Sequence, residues 1–525
     1  MPNTDNNDLH RFVNLSFLLL NKIHSFLDEI IDRVSFSLVC KRLFDHRDKY
    51  LWFNSKYFLK SNSLEINNRT FKLNSYKELF QRSLGNNTNQ KHLVLVAETT
   101  GIKEYSDYFS FLDYSEPFLY TVDTINTFYI RNEHIDMLRN INAYSFCTSH
   151  NCQFQDNIRF PPNIKEIKIT NRINESMFPQ ELECLEMYIP IELDVTKLPR
   201  TLKVLKINGL GSLTIDYESL PPNLEEFLYC AMRRQPLTPR ATRLPSTLKI
   251  VSISNHQLPY IRHLISIHTL SVVIINSSIK TGDIPESVTY LSLSNIGTIE
   301  TPIIRDMIPS GIKNLRFIRN FSFDLQSFAT LQHLETLDLS GHNVEGSNVF
   351  GVLPTSLINI SLPLEVNFQF DSLIASCNQL PNLKFIDFGG FSNDGDQRLN
   401  NTSIRSIKLH HTTKITVQTI PKSVEIIDFS NYQLKVEPEV WPSSIQSITV
   451  NIEFIDANDN LMNIPSNISE IIIRSDFHNT NKHYKFNARK LDQQFILLFG
   501  NNLLNINSAI LNINSLSNYI KNVAI

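Results

Sequence analysis

The sequence predicts an α/β solenoid: a right-handed stack of short parallel strands with little helix on its convex side, preceded by a helical module. Two observations predict this fold. A proline followed by regularly spaced apolar residues recurs about every 22 residues, as in repeat proteins. Residues 12–50 lack this pattern and carry apolar residues at helical spacing instead.

The repeated pattern is Pro-x-x-φ-x-x-φ-x-φ, where φ is an apolar residue. Pro199, Leu202, Leu205 and Ile207 fill one copy, and its last residues alternate as in a strand with one buried face. Proline has no N–H group, so it can open such a strand without removing a ladder hydrogen bond. Eleven copies have the proline, with their first apolar residues at Ile164, Leu182, Leu202, Leu224, Leu248, Val288, Ile312, Leu357, Val424, Ile445 and Ile468. Three copies, at Leu334, Leu383 and Ile404, lack proline at its usual place, and a degenerate copy at Ile267 brings the number to fifteen.

The period places the repeats in the leucine-rich-repeat range. Each copy would contribute one short parallel strand, and the rest of the period would return over the outside. About twelve residues remain for this return, too few for a long helix at 1.5 Å rise per residue. We therefore expect extended or 3₁₀ segments there, and a core that grows with the number of copies.

The composition narrows the class of protein. The net charge of −3 argues against a general nucleic-acid binder. Six cysteines without framework spacing predict reduced thiols and an intracellular, cytoplasmic protein, with a nuclear location left open. The polar start of the chain predicts no secretory signal, and no apolar run is long enough to predict a membrane span. No catalytic motif is present, so we expect no enzyme and no cofactor. Cys147, His150 and Cys152 could offer metal ligands, but no second ligand pair follows at the spacing that a zinc site usually needs, so we expect no metal site.

Residues 12–50 predict two or three short amphipathic helices. Apolar residues at positions 15, 19, 23, 26 and 27 follow helical spacing, and a second apolar run extends from Ile30 to Val39. Helices this short rarely hold a core without support. They are therefore either a cap for the solenoid or a docking module whose apolar surface is covered by a partner.

These residues resemble an F-box. The resemblance rests on the spaced apolar residues, on Leu27-Asp28, and on residues 37–42, which read Ser-Leu-Val-Cys-Lys-Arg. Ser16 departs from the family pattern, which usually has proline there. The resemblance implies docking to a Skp-type adaptor of a cullin ubiquitin ligase complex through Leu15, Leu19, Ile23, Leu27, Leu38 and Val39.

The repeats resemble FNIP repeats, which often follow an F-box. The family pattern Ile-Pro-x-Ser-Val/Leu-x-x-Leu-x-Leu is matched by residues 284–293 and its first half by residues 420–424. The resulting domain organisation has four parts: an F-box-like helical module at 8–50, a connecting segment at 51–90, a repeat solenoid at 91–478 with irregular first copies to about 160, and a C-terminal cap at 479–525.

The variable positions of each strand predict the binding surface of the solenoid. The residue after the first φ alternates in sign through Lys165, Glu183, Lys203, Glu225 and Lys249, which predicts a self-neutralising ladder. The next position, the middle column, holds apolar residues on an exposed face. They either bind a target protein or are covered locally. The candidate target-binding residues are Val204, Ile250, Tyr290, Phe385 and Ile426.

The function implied by the resemblance is substrate recognition for a Skp–cullin–F-box ubiquitin ligase. The helical module would bind the adaptor, and the solenoid would bind an unidentified substrate protein, with no role for nucleic acid or membrane. The alternative is a protein–protein interaction scaffold with no role in ubiquitin transfer.

Overall fold

The structure is a computed structural model. It describes residues 15–27, 29–53, 72–85, 91–96, 120–126, 129–140, 142–148, 152–155, 157–170, 174–188, 193–208, 215–229, 244–275, 278–297, 301–303, 307–319, 321–323, 328, 330–341, 353–363, 375–389, 399, 401–410, 420–462, 464–477, 482–501 and 506–524. The chain forms two compact units, one of residues 1–91 with 425–525 and one of residues 92–424.

The N-terminal segment is helical, as its apolar spacing indicates. Its helices are α1 (Phe17–His24), α2 (Ile30–Ser37), α3 (Lys41–Asp45) and α4 (Lys77–Gly85). Residues 8–14 of the expected module and most of the expected connecting segment lie outside the described residues.

The unit of residues 92–424 is built from short strands, with helices α5 (Asn132–Asn140) and α6 (Leu258–Ile261) between them. The strands are β1 (Lys91–Val96), β2 (Tyr120–Asn126), β3 (Tyr129–Ile130), β4 (Ala143–Thr148), β5 (Gln153–Phe154), β6 (Glu166–Ile169), β7 (Cys184–Tyr188), β8 (Val204–Asn208), β9 (Glu226–Tyr229), β10 (Ile250–Ser254), β11 (Thr269–Ile274), β12 (Tyr290–Asn295), β13 (Thr301–Ile303), β14 (Asn314–Ile318), β15 (Phe321–Phe323), β16 (Thr336–Gly341), β17 (Asn359–Ser361), β18 (Phe385–Asp387) and β19 (Ser406–His410).

Successive repeat strands of this unit pair in parallel and in register. Leu185 of β7 aligns with Leu205 of β8, which aligns with Phe227 of β9, and the same pairing continues to β19 through β10, β11, β12, β14, β16, β17 and β18. The apolar positions of the repeat are buried along the whole stack. The predicted solenoid of leucine-rich-repeat type is thereby confirmed.

The return segments contain 3₁₀ turns that begin at a polar residue. Asn174, Asp194 and Asp216 each precede such a turn, and each side chain accepts a hydrogen bond from the backbone N–H two residues later. A short polar side chain satisfies an N–H group that the turn leaves open. The expected 3₁₀ segments are therefore present, with the residue type that stabilises them.

A second set of side chains links each repeat to the one before it. The residue before the first φ is often Ser, Thr or Asn, and its side chain donates to a backbone carbonyl of the preceding repeat. Thr201 Oγ1 lies 2.7 Å from the Gln180 carbonyl oxygen and 2.9 Å from that of Leu182. Equivalent bonds are made by Asn163, Asn223, Thr247, Ser266, Ser287, Ser356, Asn382, Ser403, Ser423 and Asn467. We call these bonds the inter-repeat ladder.

The other unit combines both ends of the sequence. Its strands are β20 (Ile426–Asn431), β21 (Ser447–Val450), β22 (Glu470–Phe477), β23 (Lys482–Lys490), β24 (Phe495–Asn501) and β25 (Ile506–Asn512), and its later helices are α7 (Ile452–Ala457) and α8 (Leu516–Ala524). Strands β20 to β22 pair in parallel, whereas β22 to β25 pair antiparallel. We call β23 to β25 the C-terminal meander. It shares one hydrophobic core with α1–α4.

The inter-repeat ladder predicts a measurable effect of one hydroxyl group. Thr201→Val keeps the shape of the side chain but removes the donor to two carbonyl groups, an exposed one at Gln180 and a partly buried one at Leu182, so we expect it to destabilise this unit by about 1 kcal/mol. Urea unfolding of the full chain measures the change. Arg200→Ala, a substitution at the neighbouring exposed residue, is the control. An equal effect of the two substitutions would contradict a stabilising role for the ladder.

Candidate protein-binding surfaces

Helix α1 begins at a serine that caps it. Ser16 has an extended backbone, and its Oγ accepts a hydrogen bond from the Leu19 N–H at 3.3 Å. Serine is among the preferred residues at this position because its oxygen satisfies an N–H group at the start of a helix. The residue that departs from the F-box pattern therefore provides its own means of starting the helix.

The helical module has one buried and one exposed apolar side. Leu20 and His24 of α1 face the core. On the opposite side, Leu18 is 83% exposed and Leu19 is 52% exposed. Outside α1, two further apolar residues are uncovered: Phe26 is 71% exposed and Val39 is 63% exposed.

Two of the six residues expected to bind an adaptor are exposed. Leu19 and Val39 are exposed, whereas Leu15, Ile23, Leu27 and Leu38 are half-buried. Leu15 and Leu38 also pack against the core of the module. Leu18 and Phe26 were absent from the sequence-based set, although Phe26 belongs to the same helical spacing.

Arg33 fixes the loop between α1 and α2. Its Nε donates to the Leu27 carbonyl at 2.6 Å and its Nη1 to the Trp52 carbonyl at 3.0 Å. The guanidinium group also lies over the Trp52 ring, 4.3 Å from its centre. These bonds satisfy a buried cation. No sequence pattern marked this arginine as a structural residue.

His24 is fully buried, and its ring packs beside those of Tyr50 and Trp52. Burial lowers the pKa of His24 from 6.5 to about 3, and the nearby positive charge of Arg33 contributes in the same direction. The imidazole is therefore neutral in the folded module at physiological pH.

The segment that most resembles an F-box has a structural explanation for two of its residues. The hydroxyl groups of Ser37 and Tyr76 are 2.7 Å apart in the core, so Ser37 joins α2 to the turn before α4. Arg42 donates to the Leu15 carbonyl at 3.3 Å and lies over the Phe17 ring. Val39 lies between α2 and α3 and is exposed.

The strand face of the unit 92–424 carries the other candidate surface. Its middle column is a true column, because Cys184, Val204, Glu226 and Ile250 are register partners on successive strands. The column continues through Thr269, Tyr290, Asn314, Thr336, Asn359, Phe385 and Ser406. Polar residues thus interrupt the apolar ones at several strands.

The candidate target-binding residues are partly accessible. Tyr290 is 37% exposed, and Val204, Ile250 and Phe385 are half-buried. Ile426 is 43% exposed and belongs to the other unit, where Ser447 and Glu470 follow it in register. The structure therefore aligns four of the five residues in one column of one unit, and the fifth belongs to the other unit.

Ion pairs cover the charged positions of the same face. Lys203 Nζ lies 2.7 Å from a Glu183 oxygen, and Lys249 Nζ lies 2.7 Å from a Glu225 oxygen. Lys313–Glu335, Lys168–Glu186 and Arg316–Asp338 pair in the same way on other strands. Lys206 instead pairs at 2.8 Å with Glu226, a charged residue among the apolar ones of the middle column.

Within β10, β11 and β12, the middle-column position and the position two residues later carry no charge; Lys249, immediately before β10, belongs to the charge ladder and pairs with Glu225. Ser252, Ser271 and Ser292 are in register, and Ser292 is buried. Ile250, Thr269 and Tyr290 lie beside them in the middle column.

Among the described residues, no group of three or more histidine, cysteine or acidic side chains is placed to hold a metal ion, and no helix is long and apolar enough to cross a membrane.

The fold defines a repeat protein of leucine-rich-repeat type, an architecture typical of binding scaffolds. Residues 276–320, which include β12 and β14, match the FNIP repeat family model. No curated protein matches the chain.

Three solved structures share parts of the fold at low similarity. The TLR13–ssRNA13 complex has a TM-score of 0.41 and 13% identity over 69% of this chain, which spans 62% of that chain, less than two thirds of its length. An internalin from Listeria monocytogenes has a TM-score of 0.26 and 14% identity, covering 54% of this chain and 78% of that one. The plant peptide hormone receptor RGFR1 with RGF2 has a TM-score of 0.25 and 12% identity, covering 64% and 65%.

The low pKa of His24 predicts acid sensitivity of the helical module. Below pH 6.5 the unfolded chain takes up a proton that the folded module excludes, so stability falls from pH 6.5 toward pH 3. Between pH 7 and pH 5 we expect the wild type to lose about 1–2 kcal/mol more stability than His24→Leu, which cannot titrate. Urea unfolding at both pH values measures this difference. An identical loss in both proteins would show that His24 is protonated in the folded state.

Proposed function

We propose that the chain is a substrate-recognition adaptor of a Skp–cullin–F-box ubiquitin ligase. Residues 8–50 dock a Skp-type adaptor, the repeats within 91–478 bind the substrate protein, and residues 479–525 complete the fold as a C-terminal cap. The observation that carries the proposal is the uncovered apolar side of the helical module, in a segment whose sequence resembles an F-box.

The exposed apolar residues have the distribution expected of a docking surface. Leu18, Leu19, Phe26 and Val39 are uncovered within a segment of fewer than thirty residues. Single exposed leucines are common on proteins, whereas four exposed large apolar residues in so short a segment favour a partner site. Arg33 and Arg42 donate hydrogen bonds to the backbone carbonyl groups of Leu27 and Leu15, on either side of α1. These bonds fix the backbone that carries the exposed residues of α1.

The strand face supports the substrate-binding half of the proposal. Stacked repeats commonly use the exposed strand positions to bind other proteins. Strands β10 to β12 offer apolar contact at Ile250 and Tyr290 and the hydroxyl groups of Ser252 and Ser271, between the Lys249–Glu225 and Lys313–Glu335 ion pairs. Tyr290 is the most exposed aromatic residue of this set and therefore the first candidate for a binding hot spot.

A second candidate is an interaction scaffold without a ubiquitin role. The buried side of the helices favours it, because this side packs on the C-terminal meander around Leu497 and Phe499. Helices that cover a sheet need no further partner to explain their presence. Adaptor binding separates the two candidates, since the scaffold function does not require it.

The adaptor proposal predicts a specific loss of binding. Leu18→Asp combined with Val39→Asp places two charges on the exposed side and leaves the buried residues unchanged, so we expect binding of a purified Skp-type adaptor to fall at least a hundredfold. Isothermal titration calorimetry with the full chain measures the affinity.

Leu434→Asp is the matched control, because Leu434 is 51% exposed in the same unit but outside the helical module. It should bind as the wild type does. No binding by the wild type would reject the ligase function and favour the scaffold.

The substrate-binding half is tested on the strand face. We expect Tyr290→Ala combined with Phe385→Ala to lose the proteins that the wild type captures, because truncation removes apolar contact area from the middle column. Affinity capture with quantitative mass spectrometry compares the two captured sets. Lys203→Ala, at a paired position of the charge ladder, should keep them. Retention of every captured protein by the double variant would remove the middle column as the binding surface.

A further inference from the structure

The helical module and the C-terminal meander share one core. Leu497 and Phe499 of β24 are buried together with residues of α1, α2 and α4. The Phe80 ring stacks between two others: its centre lies 3.8 Å from that of Phe53 and 5.8 Å from that of Phe499. The meander therefore supplies part of the interior of the module.

Polar contacts fix the same interface. Arg489 of β23 approaches Asp32 of α2, with its Nε at 2.9 Å and its Nη2 at 2.8 Å from Oδ1. Asn487 Nδ2 donates to a Glu29 oxygen at 3.0 Å, near the start of the same helix. The Lys72 N–H donates to the Ser508 carbonyl of β25 at 2.7 Å. Asn487 and Arg489, on one face of β23, thus bind the acidic residues Glu29 and Asp32 at the start of α2.

The face of the meander is consistent with this role. Residues alternate across a strand, so Arg489 and its register partner Leu497 face the same side, as do Asn487 and Phe499. The strand pair itself packs tightly: a Cβ atom at Gly500 would lie 2.1 Å from the Phe486 ring. The helices therefore rest on a closely packed sheet.

A module of about forty residues cannot bury enough apolar surface to be stable alone. The contacts above join it to strands far away in sequence; Asp32 and Arg489 are 457 positions apart. In this unit the last strands thus stabilise the first helices.

We propose that the C-terminal meander is a positioning part of the docking site, and that α1 and α2 become competent to bind a partner only when the meander has folded against them. The part of this inference that concerns adaptor binding rests on the proposed function. Because β23 to β25 are synthesised long after α1, a nascent or C-terminally shortened chain would carry the docking sequence without the docking surface.

Hydrogen exchange tests the structural half independently of any partner. In the full chain, Arg489→Ala removes the cation that holds α2, and we expect exchange protection of residues 30–37 to fall about tenfold. Phe499→Ala opens the shared core and should lower protection in both α1 and α2 by more than that. Lys485→Ala, at an exposed position on the same strand, is the control and should leave protection unchanged.

Adaptor titration tests the functional half with the same proteins. When only a fraction of the molecules has a folded module, the apparent affinity falls in proportion to that fraction. Phe499 fills the shared core, so we expect Phe499→Ala to leave the module folded in about a tenth of the molecules, with α1 and α2 almost unprotected and adaptor binding about tenfold weaker. Arg489→Lys keeps the charge and should recover part of the α2 protection lost in Arg489→Ala. Protection of β6 to β12 is the internal measure that the repeats remain folded.

Each outcome decides one part. Unchanged protection of α1 and α2 in both Arg489→Ala and Phe499→Ala would overturn the inference. Near-complete loss of α1 and α2 protection in Phe499→Ala with unchanged adaptor affinity would overturn the docking half, because binding would then not depend on the folded module. Absence of adaptor binding in the wild type would reject the proposed function, and the exchange data would still decide whether the meander holds the helices.

Discussion

Parallel pairing in register is the interaction on which the repeat architecture depends. A strand of three to six residues cannot bury its own apolar face, so each one takes both its hydrogen bonds and its core from its neighbours. Because the strands are in register, equivalent residues of successive repeats make the same contacts. Leu185 and Leu205 align in the core, and the Thr201 hydroxyl group donates to a carbonyl group of the preceding repeat. Spacing between copies varies from 18 to 26 residues, and the return segments absorb this variation.

The sequence predicts what is local and misses what depends on contacts between repeats. Alternation of apolar residues is visible within a single strand, so the sequence alone predicts the strands of the copies that begin at Leu202 and Val288. The bond from Thr201 joins residues about one repeat apart, and the Lys206–Glu226 pair crosses two columns, so neither has a local signature. The packing of α2 on β23 joins residues 457 positions apart and lies beyond any periodicity.

The candidate docking surface was predictable in part for a related reason. Helical spacing shows that α1 has an apolar stripe but not which side meets its own core. Leu20 and His24 take the buried side, which leaves Leu18 and Leu19 uncovered. His24 is on the buried side because its ring packs against those of Tyr50 and Trp52. These two residues follow α1 by more than twenty positions, so the spacing within the helix does not reveal the contact.

The ladder of paired charges also determines how a partner would meet the strand face. A surface steers an approaching molecule when its charges are unbalanced, and steering of that kind weakens as salt shortens the screening length. Lys203, Lys249 and Lys313 already have acidic neighbours, so the face projects little field into solution. Encounter with it should be slow, on the order of 10⁵–10⁶ M⁻¹s⁻¹, and insensitive to ionic strength. Differences in affinity between partners would then come mainly from differences in their dissociation rates.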